Sequence, residues 1–211
     1  MLPSTQSRVE RMLETVDRLG IVKIKHLQEI HKLNYRNLCR IINSHLRPFI
    51  HETYYQREKV IYLNKKGREM IASDREITVN QQTLHSLMRN EVYIYFNCPQ
   101  DWKIEYTIES NVNASNDIQI NSLGLTLSTK KKLNVDAVFK RNGYLHLIEV
   151  DNERKMIDNF KKIESYKEIL PGYKNETPIL YFFTKTESRK RKLEEKLKGI
   201  RHEVLTFEEI K

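Results

Sequence analysis

Three carboxylates offer this chain's clearest prospect of chemistry. Asp136 falls early in an alternating run, Asn134 to Lys140, while Glu149 and Asp151 lie at the end of a second run, Tyr144 to Val150. One residue separates Glu149 from Asp151, so extended backbone directs both to the same face. The Arg141-Asn142-Gly143 stretch predicts a tight hairpin turn, and pairing about it brings all three carboxylates to one end of a sheet. Like charges gathered there raise one another's pKa unless a cation, a basic side chain or a hydrogen-bond network balances them. An oxygen-only set of this kind suits magnesium. The alternative is a set of salt bridges that serves folding, with Lys162 as a partner.

A second cluster is cationic. Leu38, Ile41, Ile42 and His45 share one face of a helix expected over about Tyr35 to Leu46, which leaves Tyr35, Arg36, Asn37, Arg40, Asn43 and Ser44 on the other. Arginine bonds guanine edges and asparagine bonds adenine edges, each bidentately, so this face has the composition of a base-reading surface. The competing expectation is the plain polar face of a small bundle.

The elements around that helix decide between the two. Val9, Met12, Leu13, Val16 and Leu19 predict a first helix ended by Gly20, and Ile24 to Lys32 predicts a second, with Asn34 placed to cap the third. Pro48 ends the third helix. Two β-rich runs follow, Phe49 to Tyr54 and Val60 to Leu63, around a polar tip of Gln56, Arg57, Glu58 and Lys59. A helix then carries Met70 and Ile71 toward the core. This order predicts a winged helix-turn-helix, with Arg57 and Lys59 set against phosphate and the third helix set against bases.

Composition agrees with a polyanion partner. The 211 residues carry a net charge of +9, and residues 1–80 hold an excess of six Lys/Arg against three in residues 81–211. Basic surplus favours nucleic acid through counterion release. No run approaches the ~18 apolar residues of a spanning helix, and Met1 to Thr5 has no secretory pattern, so the expectation is a cytoplasmic protein with no membrane partner. Cys39 and Cys98 lack partners at disulfide or zinc spacing and are expected in the core.

The expected domains are 1–76, the winged helix-turn-helix, and 77–211. The second begins with a helix carrying Leu84, Leu87, Met88, Val92 and Phe96, on which His85 is expected to pack. A half-buried strand with Trp102, Ile104, Tyr106 and Ile108 inward comes next, then a polar insertion at 110–132, then the hairpin of the carboxylates. A helix from about Arg154 to Leu170, a strand at Pro178 to Phe183, a helix at Glu187 to Leu197 and a strand at His202 to Leu205 complete it. The fold class is α+β and α/β in two domains, the second with an α-β-β-β-α-β core.

That order, with Val135-Asp136-Ala137-Val138-Phe139 on one strand and Leu147-Ile148-Glu149-Val150-Asp151 on the next, resembles the PD-(D/E)xK nuclease superfamily. With Tyr62-Leu63-Asn64-Lys65-Lys66-Gly67, Leu84-His85-Ser86-Leu87, Asn90-Glu91-Val92 and Lys162-Ile163-Glu164-Ser165-Tyr166, the chain is similar to the plasmid replication-relaxation family over roughly residues 8 to 185. The resemblance implies a magnesium site at Asp136 and Glu149, completed by Glu91, and a lysine two residues past the Glu to stabilise charge. Asp151 stands in that lysine's place, and an anion cannot do a lysine's electrostatic work on a phosphodiester transition state. Lys162, one helix over, is the residue able to supply the amine. The resemblance therefore implies a DNA-binding regulatory or accessory protein of a plasmid or mobile element, whose partners are double-stranded DNA, a second copy of itself, and replication or conjugation proteins. Its rival is a magnesium-dependent nuclease with Asp136, Glu149, Asp151 and Lys162 catalytic.

Overall fold

Val9, Met12, Leu13, Val16 and Leu19 recur at helical spacing, and their burial fixes α1, Thr5–Leu19. Gly20 takes the left-handed conformation (φ 82°) in which its N–H reaches the Val16 carbonyl at 2.8 Å, ending the helix. The computed structural model describes residues 5–112, 129–173 and 176–211. These form a mixed α and β protein with two sheets, in two units, Met1–Gln100 and Asp101–Lys211. No helix among the described residues is long and apolar enough to cross a membrane.

In the first unit β1 (Ile21–Lys23) leads directly into α2 (Ile24–His31), which closes on Lys32 in the left-handed region. Asn34 caps α3 (Tyr35–Ile41), its Oδ1 accepting from the Asn37 N–H at 2.8 Å. β2 (Ile50–Tyr55) and β3 (Glu58–Leu63) form a hairpin whose two turn residues, Gln56 and Arg57, have φ of 49° and 68°. Positive φ at both positions matches the twist of a two-residue hairpin turn. β1 pairs with the far side of β3, Ile21 opposite Tyr62, giving the order β1-β3-β2. This third strand is too short for periodicity to reveal.

Two departures from expectation arise at the end of α3. The helix does not continue regularly to Leu46; it widens into a π-turn, Ile42–Leu46, followed by a 3₁₀ turn, Arg47–Phe49. The extra residue rotates the pattern, so Leu46 takes the core position and His45 is exposed rather than buried. After the hairpin, Asn64 caps α4 (Lys65–Met70): its Oδ1 accepts from Gly67 N–H at 2.9 Å and its Nδ2 donates to the Pro48 carbonyl at 2.9 Å. A Cβ on Gly67 would lie 2.1 Å from the Phe49 carbonyl oxygen, which is why glycine stands there. Met70 does not return to the core; it is 39% exposed.

The expected domain boundary at residue 76 is displaced. α5 (Thr83–Tyr95), expected to open the second domain, packs in the first unit: buried Asn90 donates from Nδ2 to the Ile21 carbonyl at 2.6 Å, and Arg18 reaches the Tyr93 hydroxyl at 3.4 Å. His85 is buried on this helix. Cys39 and Cys98 are free and half-buried, not fully in the core.

The second unit is one five-stranded sheet, ordered β4-β5-β6-β7-β8, over β4 (Lys103–Val112), β5 (Thr129–Arg141), β6 (Tyr144–Val150), β7 (Thr177–Thr184) and β8 (His202–Thr206). The first three strands are antiparallel and the last three parallel. Parallel pairing needs crossovers, supplied by α6 (Met156–Ile169) and α7 (Glu187–Leu197). Leu147, Leu180, Phe182 and Val204 of the sheet meet Ile163, Tyr166 and Ile169 of α6 and Leu193 and Leu197 of α7. Full burial stabilises each such apolar side chain by roughly 1.5–3 kcal/mol. With α5 in the other unit, the observed order is β-β-β-α-β-α-β.

The expected insertion at 110–132 is narrower, because β4 and β5 run into it from both sides; residues 113–128 lie outside the described residues. Lys131 and Lys132 sit on β5 and pair with Glu168 and Glu109, the latter at 2.7 Å. The expected inward alternation does not hold along β4: Trp102 precedes the strand and stacks on Phe139, Ile108 is buried in the cluster with α6, and between them Glu105 adopts a φ of 51° and Tyr106 is 39% exposed.

Candidate nucleic-acid interface and carboxylate cluster

The cap at Asn34 and the burial of Leu38 and Ile41 fix the rotation of α3, and that rotation leaves Tyr35, Arg36 and Arg40 exposed with Asn37 half-buried. Arg57 is exposed at the hairpin turn. Among the described residues, Arg36, Arg40 and Arg57 have no ion pair with a carboxylate. Two residues expected on this surface are otherwise engaged. Asn43 accepts from Arg47 Nη2 at 2.8 Å, and Lys59 lies half-buried with Nζ 2.9 Å from Glu52 Oε2. Lys59 and Glu52 share a sheet face on neighbouring strands, so the pair is a consequence of register. Glu52 is held below the usual carboxylate range by that lysine. Tyr54, not singled out from the sequence, is 69% exposed beside the turn.

In the second unit the hairpin brings Asp136 and Glu149 to the same end of the sheet. Asp136 Oδ2 accepts the Val150 N–H at 2.7 Å. Glu149 is buried under α6, where Asn159, Lys162 and Tyr166 fall on one face. Lys162 Nζ lies 2.6 Å from Glu149 Oε2, and the Tyr166 hydroxyl donates to Oε1. Burial pushes the Glu149 carboxyl up to about 8, the charge of Asp136 adds to the rise, and Lys162 and Tyr166 oppose it. Tyr166, buried against that carboxyl, is pushed above the ordinary phenol range.

Asp151 is differently placed. Its Oδ1 accepts from Arg189 Nη2 at 2.7 Å and Asn159 Nδ2 at 3.0 Å; its Oδ2 accepts from Arg189 Nε at 2.5 Å and Thr184 Oγ1 at 2.9 Å. All four lone-pair directions of the carboxylate are filled. Burial opposes ionisation, but these bonds outweigh it and hold Asp151 below its ordinary value.

The expected magnesium shell does not fit this arrangement. Both oxygens of Glu149 are taken by donors and Asp151 has no lone pair left, while Glu91 lies 3.5 Å from Lys23 Nζ. Among the described residues no group of three or more His, Cys, Asp or Glu side chains is disposed to hold a metal. Asp151, expected as a catalytic candidate, stands at the centre of a buried ion pair with Arg189. Lys162 does meet Glu149, as the spacing of the two elements suggested. Arg189, Asn159 and Thr184 carried no signal near Asp151 in the sequence, because three separate elements supply them.

No family model matches the chain, and no curated protein matches it. Among solved structures, the crystal structure of protein VC1899 from Vibrio cholerae aligns at a TM-score of 0.37 and 16% identity, over 96% of this chain and 49% of that one. This chain thus spans about half the length of that protein.

Proposed function

We propose that the protein is a DNA-binding regulatory or accessory factor of a plasmid or other mobile element, with the first unit acting as a winged helix-turn-helix on duplex DNA. The observation that carries this reading is the exposed face of α3, where Arg36 and Arg40 stand without carboxylate partners beside a hairpin tip bearing Arg57. Arg36 and Asn37, at the helix N-terminus, take the base-reading role, and Arg57 takes a phosphate. Two such units in a homodimer would read paired half-sites. The second unit, read as a PD-(D/E)xK-like fold, serves as a scaffold or platform for replication or conjugation proteins, since both oxygens of Glu149 and of Asp151 are held by internal partners.

Selection of duplex fragments by the purified full chain, followed by sequencing, tests this directly. An enriched motif is expected; no enrichment, with no duplex retained at moderate salt, overturns the reading. The nuclease rival is separated by incubating supercoiled plasmid with the protein and magnesium or manganese, beside Asp136→Ala and Glu149→Ala. No nicking is expected. Nicking by the wild type that both variants lose would replace the regulatory reading.

A further inference from the structure

The π-turn after α3 does more than displace His45 from the core. It sets Ser44 and His45 against the start of α1, and between them lies a pocket of about 200 Å³ lined by Thr5, Arg8, Arg40, Ile41, Ser44 and His45. Its polar lining residues are two arginines, a histidine, a serine and a threonine, and among the described residues no Asp or Glu lines it. Guanidinium groups only donate, so this wall presents donors and positive charge to whatever enters. Two arginines facing one concavity repel each other unless an anion lies between them. Among the described residues neither Arg8 nor Arg40 has a carboxylate partner to relieve that repulsion. π-turns of this kind recur at functional sites because they re-aim side chains at a cost in regularity.

We infer that this pocket is a phosphate site, with Arg8 and Arg40 as its paired cations and Ser44 and His45 as further donors, and that its occupant is a backbone phosphate of the bound duplex. The inference rests on the DNA-binding reading above and refines it. It moves Arg40 from the base-reading set to the phosphate-holding set, leaving sequence discrimination to Arg36 and Asn37. Arginine suits the task because its planar fork meets two phosphate oxygens at once, which lysine cannot do.

The full-length protein, Arg8→Ala, Arg8→Lys and Arg40→Ala are titrated with a selected duplex and an unrelated duplex at several salt concentrations. Matched thermal melts establish that each variant is folded. In parallel, inorganic phosphate is titrated into the same proteins and followed by amide chemical shifts. Arg8→Ala and Arg40→Ala are each expected to weaken both duplexes by a similar factor, about 5- to 30-fold, and to reduce the salt slope by about one. Arg8→Lys should restore the salt slope but only part of the affinity. Methylphosphonate substitution, one linkage at a time, should reveal one linkage whose neutralisation weakens the wild type and leaves Arg8→Ala unaffected.

Each other outcome has a distinct meaning. Wild-type duplex binding that Arg8→Ala and Arg40→Ala share unchanged, in affinity and salt slope, overturns the pocket while leaving the DNA reading intact. An Arg40→Ala loss confined to the selected duplex returns Arg40 to base reading and also overturns it. Absence of duplex binding, with inorganic phosphate shifting the Thr5 to Arg8 and Ser44 to His45 amides only when Arg8 is present, keeps the phosphate chemistry and assigns it to a free phosphate, against the DNA reading. Response to neither ligand removes both.

Discussion

The two charged regions of this molecule are built on opposite terms. On the face of α3 and the hairpin tip, Arg36, Arg40 and Arg57 are exposed and, among the described residues, have no carboxylate partner, while Glu52 and Glu58 of the hairpin are bound to Lys59 and Lys23. In the second unit, Glu149 and Asp151 are buried at 3% and 1% exposure, and every oxygen has a donor. Charge left unpaired at a surface costs little in water and is available to a partner. Charge taken into the interior must be matched at once, and once matched it serves the fold. Counting acidic or basic residues is therefore a poor guide to function until their partners are known.

The sharpest way to break this contrast is to strip the buried region of one partner. Arg189→Ala leaves Asp151 buried with only Asn159 and Thr184, and should lower stability by about 3–5 kcal/mol in chemical denaturation. Duplex affinity of the folded fraction should not change. A variant that unfolds like the wild type would show that Asp151 is not structurally committed.

Glu149 provides a second break, through pH. Because burial raises its carboxyl to about 8 in the folded protein, folding favours the protonated form. Its stability contribution is complete below the ordinary carboxyl range, declines as pH rises above about 4.5, and is lost on passing about 8. Thermal melts from pH 5 to 9 should show that decline, and Glu149→Gln should flatten it. An unchanged slope in the variant would assign the dependence to another group.

On the exposed side the effects are smaller and specific to binding. Arg36→Ala should cost about 1–3 kcal/mol on a selected site and relax its sequence preference, with no change in melting temperature. Arg57→Ala should weaken all duplexes alike and reduce the salt slope by about one. If both variants lost affinity without regard to sequence, α3 would be gripping DNA without reading it.

Much of this contrast was legible in the sequence, for identifiable reasons. Apolar spacing in Val9 to Leu19, the Asn34 cap and the Asn142-Gly143 turn are local signals, and the corresponding elements follow from them. The same local logic led astray where backbone regularity broke. A π-turn after Ile41 exchanged His45 for Leu46 in the core, and a left-handed φ at Glu105 stands beside a Tyr106 that is exposed rather than inward. Non-local pairing was beyond reach for another reason. Nothing near Asp151 signals Arg189, which arrives from α7, or Thr184 from β7, so a carboxylate that looked available for metal was already saturated. Likewise the buried bond from Asn90 to the Ile21 carbonyl, which ties α5 to the first unit, joins residues far apart in the chain.

In the proposed reading, Arg36 and Arg57 of the first unit hold duplex DNA. Fluorescence anisotropy of a selected duplex, titrated with the full chain and with an Arg36→Ala, Arg57→Ala double variant across salt, tests it most directly. Saturable wild-type binding that weakens steadily with salt, and collapses in a double variant of unchanged melting temperature, is the predicted result. Wild-type binding equalled by the double variant, or no binding by either at moderate salt, would contradict it.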